Sequence, residues 1–112
     1  MTHLSHNAQK IESHIEKWER GGLFVNRGNE HRAAIALARE DPDSLEQLIF
    51  SLPKSEQDLR LKLMELGGHG GSCAKRHNQH WMFFHERLRQ RWDELSEMEQ
   101  TILNWYQAKH GW

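Results

Sequence analysis

The sequence predicts an all-α protein, a single compact domain of five or six short-to-medium helices, and three observations carry that expectation. Apolar residues recur at three- and four-residue steps, the spacing of one helical face. Glycine pairs, prolines and Ser or Asp capping residues fall between those stretches, where helices start and stop. The two stretches that look most like strands do not hold up. Leu23-Phe24-Val25 is too short, and Leu59-Arg60-Leu61-Lys62-Leu63 alternates but is built of helix formers with no β-branched residue between Ser55 and Leu66.

The first helix is expected from about Leu4 to Arg20, with Leu4, Ala8, Ile11, Ile15 and Trp18 on one stripe and Gly21-Gly22 ending it. Arg27-Gly28-Asn29 reads as a turn. The second helix, Glu30 to about Glu40, is alanine-rich, which permits close approach of its neighbours. Asp41 caps a third helix with Pro42 at its first position, and Leu45, Leu48, Ile49 and Leu52 supply its buried side before Pro53 ends it. Ser55 and Asp58 resemble a capping box for a fourth helix, which Gly67-Gly68 closes.

The fifth and longest helix is expected from Ser72 to about Leu95. A capping box, Ser96 with Glu99, opens a sixth that ends near Gly111, with Met98, Ile102 and Trp105 facing the core and Leu103 or Tyr106 as further candidates for it. The run Leu95-Ser96-Glu97-Met98-Glu99 also resembles the opening of some helix-turn-helix domains, in which Leu-Ser-x-x-Glu starts the first helix. Only nine residues follow Leu103, too few for a turn and a recognition helix.

At 112 residues the chain suits one domain with one modest core. A net charge of −1, from 15 basic and 16 acidic residues, supplies no general field to attract nucleic acid or an anionic membrane. No apolar stretch approaches the roughly 20 residues that span a bilayer. One cysteine forms no internal disulfide, and Met1–His6 carries no secretory pattern, so a cytoplasmic protein is expected.

Chemistry concentrates in residues 67–80, GGHGGSCAKRHNQH, which hold the lone cysteine and three of the nine histidines. On a helical wheel with Cys73 at zero, His77 falls at about 40°, His80 at about −20° and Phe84 at about 20°. Cys73, His77 and His80 thus share the apolar face, and packing accounts for them first. The alternative is a buried zinc site of Cys73, His77 and His80, with His69 reaching in from the glycine loop. Against it, the spacing has no Cys-x2-Cys and draws its ligands from one element. A reactive Cys73 thiolate paired with His77 ranks below that, because no oxyanion site or cleft accompanies it. A phosphate-cradling loop ranks last, since no Walker pattern or preceding strand is present.

Five tryptophans are many for this length. Trp18, Trp81 and Trp105 fall on the core stripes, whereas Trp92, Tyr106 and Trp112, with Arg89, are candidates for a partner surface because Trp, Tyr and Arg dominate binding hot spots. The Lys and Arg residues of the fifth helix spread around it and are interrupted by acids, which argues against a recognition helix for DNA. The functional expectation is a non-enzymatic, cofactor-free helical protein that binds another protein, an accessory factor or an inhibitor of a larger complex. A zinc-binding domain is the alternative, and a nucleic-acid-binding regulator the third.

Overall fold

A computed structural model describes residues 3–68 and 74–110, with the backbone alone at 68, 74–81 and 110. The described residues form six α-helices and no strand: α1 His6–Arg20, α2 Arg27–Glu40, α3 Pro42–Ser51, α4 Gln57–Gly68, α5 Ala74–Arg89 and α6 Glu97–His110. A 3₁₀ turn, Trp92–Glu94, lies between α5 and α6. Contacts group the chain into two units, Met1–Leu52 and Pro53–Trp112.

In the first unit α1 packs against both α2 and α3. Its buried side chains are Ala8, Ile11 and Ile15 from α1, Ala34 and Ala38 from α2, and Leu45, Leu48 and Ile49 from α3. Ala34 and Ala38, one turn apart, bring no bulk to the seam, so α2 approaches closely as its composition suggested. Helix α1 begins after Leu4 because Ser5 is the cap: its Oγ accepts the Ala8 N–H at 3.1 Å. The Ser5 and Ser44 hydroxyls lie 2.6 Å apart, and Ser44 Oγ donates to Asp41 Oδ2 at 2.7 Å. One chain of hydroxyls therefore ties the start of α1 to the start of α3.

Asp41 serves two helices at once. Its N–H donates to Leu37 O and closes α2, while its carboxylate accepts the Ser44 N–H at 3.1 Å and caps α3. Helix α2 starts at Arg27, three residues before the expected Glu30, because the Asn26 side chain accepts the Asn29 N–H at 3.1 Å. What read as a turn is the capped first turn of the helix.

Between α1 and α2 the chain reverses at Gly21, with φ 67° and ψ −157°, and Gly22, with φ 144°. The Gly21 conformation is one that only glycine adopts without strain. A Gly21→Ala variant is expected to lose about 1–3 kcal/mol of stability, measured by urea denaturation.

In the second unit α4 packs against α5. Leu63, Met64, Leu66, Phe84, Leu88, Leu95 and Leu103 are buried. Two expectations are corrected here. The longest helix does not run to Leu95: it stops at Arg89, and i→i+3 bonds from Gln90 to Arg87 and Arg91 to Leu88 tighten its end. Arg91 then clamps the 3₁₀ turn through two bonds to Glu94, at 2.7 and 2.8 Å. Leu88 and Leu95 mimic one heptad of a continuous helix, but the chain between them is bent.

The second correction concerns the face of α6. Met98 and Trp105 are each 54% exposed, whereas Leu103 and Glu99, one turn apart, are fully buried. The helix is rotated because Arg60, 2% exposed on α4, takes Glu99 as its counter-ion. A stripe drawn through apolar residues alone misses a buried carboxylate.

Candidate protein-binding surface

Two polar constellations stand out in the second unit, and they differ in what they leave free. The first is the Arg60–Glu99 cluster. Ser96 and Glu99 make the expected capping box: the Ser96 N–H donates to Glu99 Oε1 at 2.8 Å, and the Glu99 N–H donates to Ser96 Oγ at 3.1 Å. Gln57 Nε2 donates to Glu99 Oε2 at 2.8 Å, and Ser96 Oγ donates to Gln57 Oε1 at 2.5 Å. Arg60 Nε lies 3.1 Å from Glu99 Oε2 as an ion pair, and its Nη2 donates to Glu94 O at 3.1 Å. Both carboxylate oxygens are engaged by the chain's own donors. The cluster is a strut joining α4, the 3₁₀ turn and α6.

The second constellation is open. Met82, His85, Glu86 and Arg89 on α5, with Gln107 on α6, line a cleft of ≈ 230 Å³. Arg89 Nη2 donates to Asn104 Oδ1 at 2.9 Å, and its guanidinium carbon sits 5.0 Å from the centre of the Trp92 ring. Tyr106 stands edge-on to buried His85 with ring centres 5.5 Å apart, and Trp105 stands edge-on to Tyr106 at 4.9 Å. Lys109 Nζ lies 4.7 Å from the Trp105 ring centre. Two sets of contacts result: Arg89 joins the Trp92 ring to Asn104 of α6, and Tyr106 and Trp105 of α6 stack edge-on from His85 outward to Lys109.

Of the residues singled out in the sequence for a partner surface, Arg89 stands over the Trp92 ring, Tyr106 meets His85 and Trp105 instead, and Trp112 lies outside the described residues. Reasoning from the sequence missed Met82, Phe83 and Trp105, which are all about half exposed. A signal was present in Trp81-Met82-Phe83-Phe84. Successive residues advance about 100° around a helix, so four bulky apolar neighbours cannot all face one core. Phe84 is buried and its neighbours Met82 and Phe83 are left in water.

The candidate metal ligands His69 and Cys73 lie outside the described residues, as do the side chains of His77 and His80. Among the described residues no three His, Cys, Asp or Glu side chains group as metal ligands. The described arginines of α5 and the turn after it are engaged within the chain: Arg87 over Phe83 at 5.9 Å, Arg89 with Asn104 and Trp92, and Arg91 with Glu94. The hydrogen bond from Arg91 holds the Glu94 carboxyl below the usual carboxylate range. No described helix is long and apolar enough to cross a membrane. No family model, curated protein or solved structure matches the chain.

Proposed function

We propose that this protein is a non-enzymatic binding module that recognises another protein through the α5–α6 face, as a cytoplasmic accessory factor or inhibitor of a larger complex. The observation that carries this reading is the exposure of Met82, Phe83 and Trp105 in the unit that also holds a cleft lined by Met82, His85, Glu86, Arg89 and Gln107. Apolar and aromatic anchors together with arginine are the composition of interface hot spots. The rings are held by edge contacts and by cations, so little side-chain freedom is lost on binding. Engagement of Arg87, Arg89 and Arg91 within the chain favours a protein partner over a phosphate backbone.

The test compares what wild type and an Arg89→Ala/Trp105→Ala variant retain from lysate of the native host, followed by calorimetry with the purified partner. Trp105 is half exposed, so the variant is expected to fold. Truncating a hot-spot pair costs about 2 kcal/mol or more, which is roughly 30-fold in affinity. An unchanged affinity for every retained protein would remove the α5–α6 face as the binding site.

A further inference from the structure

The cleft between α5 and α6 holds charges of both signs that the chain does not spend on each other. Among the described residues its lining is Met82, His85, Glu86 and Arg89 from α5 and Gln107 from α6. Glu86 and Arg89 stand one turn apart, at the i,i+3 spacing where opposite charges ordinarily meet. Arg91 pairs with Glu94 at that spacing, and Arg20 pairs with Glu16 across i,i+4. Glu86 and Arg89 form no such pair. The guanidinium is held aside instead: Arg89 Nη2 donates to Asn104 Oδ1 at 2.9 Å, and its carbon lies 5.0 Å from the centre of the Trp92 ring.

The groups left over form a matched set. Asn104 takes a single N–H of Arg89, and the rest of the guanidinium fork makes no hydrogen bond among the described residues. Glu86 is exposed, Gln107 is half-buried, and neither makes a hydrogen bond among the described residues. The Gln107 amide both donates and accepts, and Met82 adds an adaptable apolar wall. A cation and an anion one turn apart suit a ligand that carries a carboxylate and an ammonium on one carbon. At ≈ 230 Å³ the cleft is smaller than the ~300–1,000 Å³ of pockets for drug-sized molecules, so its ligand is small. We propose that this cleft binds a free apolar amino acid, its carboxylate on Arg89, its ammonium on Glu86, the Gln107 amide between them and its side chain against Met82.

The charges select this class of ligand. A phosphate or a dicarboxylate meets repulsion from Glu86, and a polyamine meets repulsion from Arg89. A zwitterion satisfies both. Contacts on a rim open to water give a modest affinity, with a Kd on the order of 1 mM. The ligand touches α5 and α6 at once, so occupancy ties the two helices together and raises thermal stability by mass action. It needs no partner protein.

The test is calorimetric titration of the full chain with L-leucine and with each other apolar amino acid, alongside thermal melts. Leucinamide, which lacks the carboxylate, and 4-methylpentanoate, which lacks the ammonium, are titrated in parallel. At least one amino acid is expected to bind and to raise the melting temperature. Each truncated analogue is expected to bind about tenfold more weakly or worse, because it loses a charge-assisted contact. Glu86→Gln and Arg89→Gln should weaken the amino acid to the same degree, and melts without ligand check that both variants fold. Trp105 does not line the cleft, so Trp105→Ala should bind the amino acid as wild type does. Absence of heat and of any melting shift with every amino acid overturns the proposal. So do analogues that bind as tightly as the amino acid, or an unchanged affinity in Glu86→Gln. These titrations contain no partner, so their failure leaves recognition of a protein standing, and a partner lost in Trp105→Ala leaves the cleft standing.

Discussion

Glu99→Ala is expected to destabilise the protein by about 3–5 kcal/mol, the largest loss among the substitutions considered, read as a lowered urea midpoint. The carboxylate is fully buried and receives Gln57 Nε2, the Ser96 N–H and the Arg60 guanidinium. Removing it leaves a guanidinium buried without its counter-ion, and the desolvation of that cation then has no compensation. It also removes half of the capping box at the start of α6. Replacing the pair together, as Arg60→Met/Glu99→Leu, is expected to restore most of the loss, because apolar packing of similar volume replaces a buried pair at little cost. The recovery of the double variant distinguishes an orphaned charge from a general loss of packing.

Salt and acid separate this buried pair from the exposed one nearby. Ions reach a buried pair poorly, so the Glu99→Ala loss should persist in high salt. The Arg91–Glu94 pair is partly exposed and contributes little. Because the Glu94 carboxyl lies below its ordinary range when folded, its contribution is present above the unfolded carboxylate pKa. That contribution fades as pH falls through the folded value.

Gly67→Ala ranks next. Alanine is the better helix former by about 1 kcal/mol, so propensity alone predicts a gain. The geometry of α4 against α5 reverses the sign. A Cβ at Gly67 would stand 2.4 Å from Phe84 Cδ1, 2.6 Å from Cγ and 2.7 Å from Cε1. The Phe84 ring is buried and is met along its root, so it cannot swing aside as a flexible tip would. A net loss of about 1–3 kcal/mol is expected from overpacking. Phe84→Leu, itself destabilising, should offset part of it, so the double variant loses less than the sum of the singles.

Much of the helix order was legible because caps are local chemistry. Asp41-Pro42 and the Ser96–Glu99 box start helices where the residues alone indicate, since an N-cap acts within three residues of itself. The misplaced features depend on residues far apart in the chain. Glu99 turns inward because Arg60 is there to meet it, and nothing within α6 announces that partner. The break after Arg89 is invisible to a heptad count, because Leu88 and Leu95 are buried on either side of it. For the candidate site, residue type singled out Arg89, Trp92 and Tyr106, of which Arg89 and Trp92 are in contact. Trp105 was assigned to the core because its apolar spacing matched Met98 and Ile102, and the rotation imposed by Glu99 exposes it. Leu23 and Phe24 read as an apolar link, because hydropathy does not tell a turn's tip from its root.

The central claim, recognition of a protein through the α5–α6 face, is tested most directly by oxidative footprinting of the full chain with and without its retained partner. Met82, Phe83 and Trp105 are half exposed and oxidisable, and they report on that face residue by residue. Partner binding is expected to slow their modification severalfold while leaving Leu23 and Phe24 unchanged. Unaltered rates at Met82, Phe83 and Trp105 under saturating partner would contradict the claim.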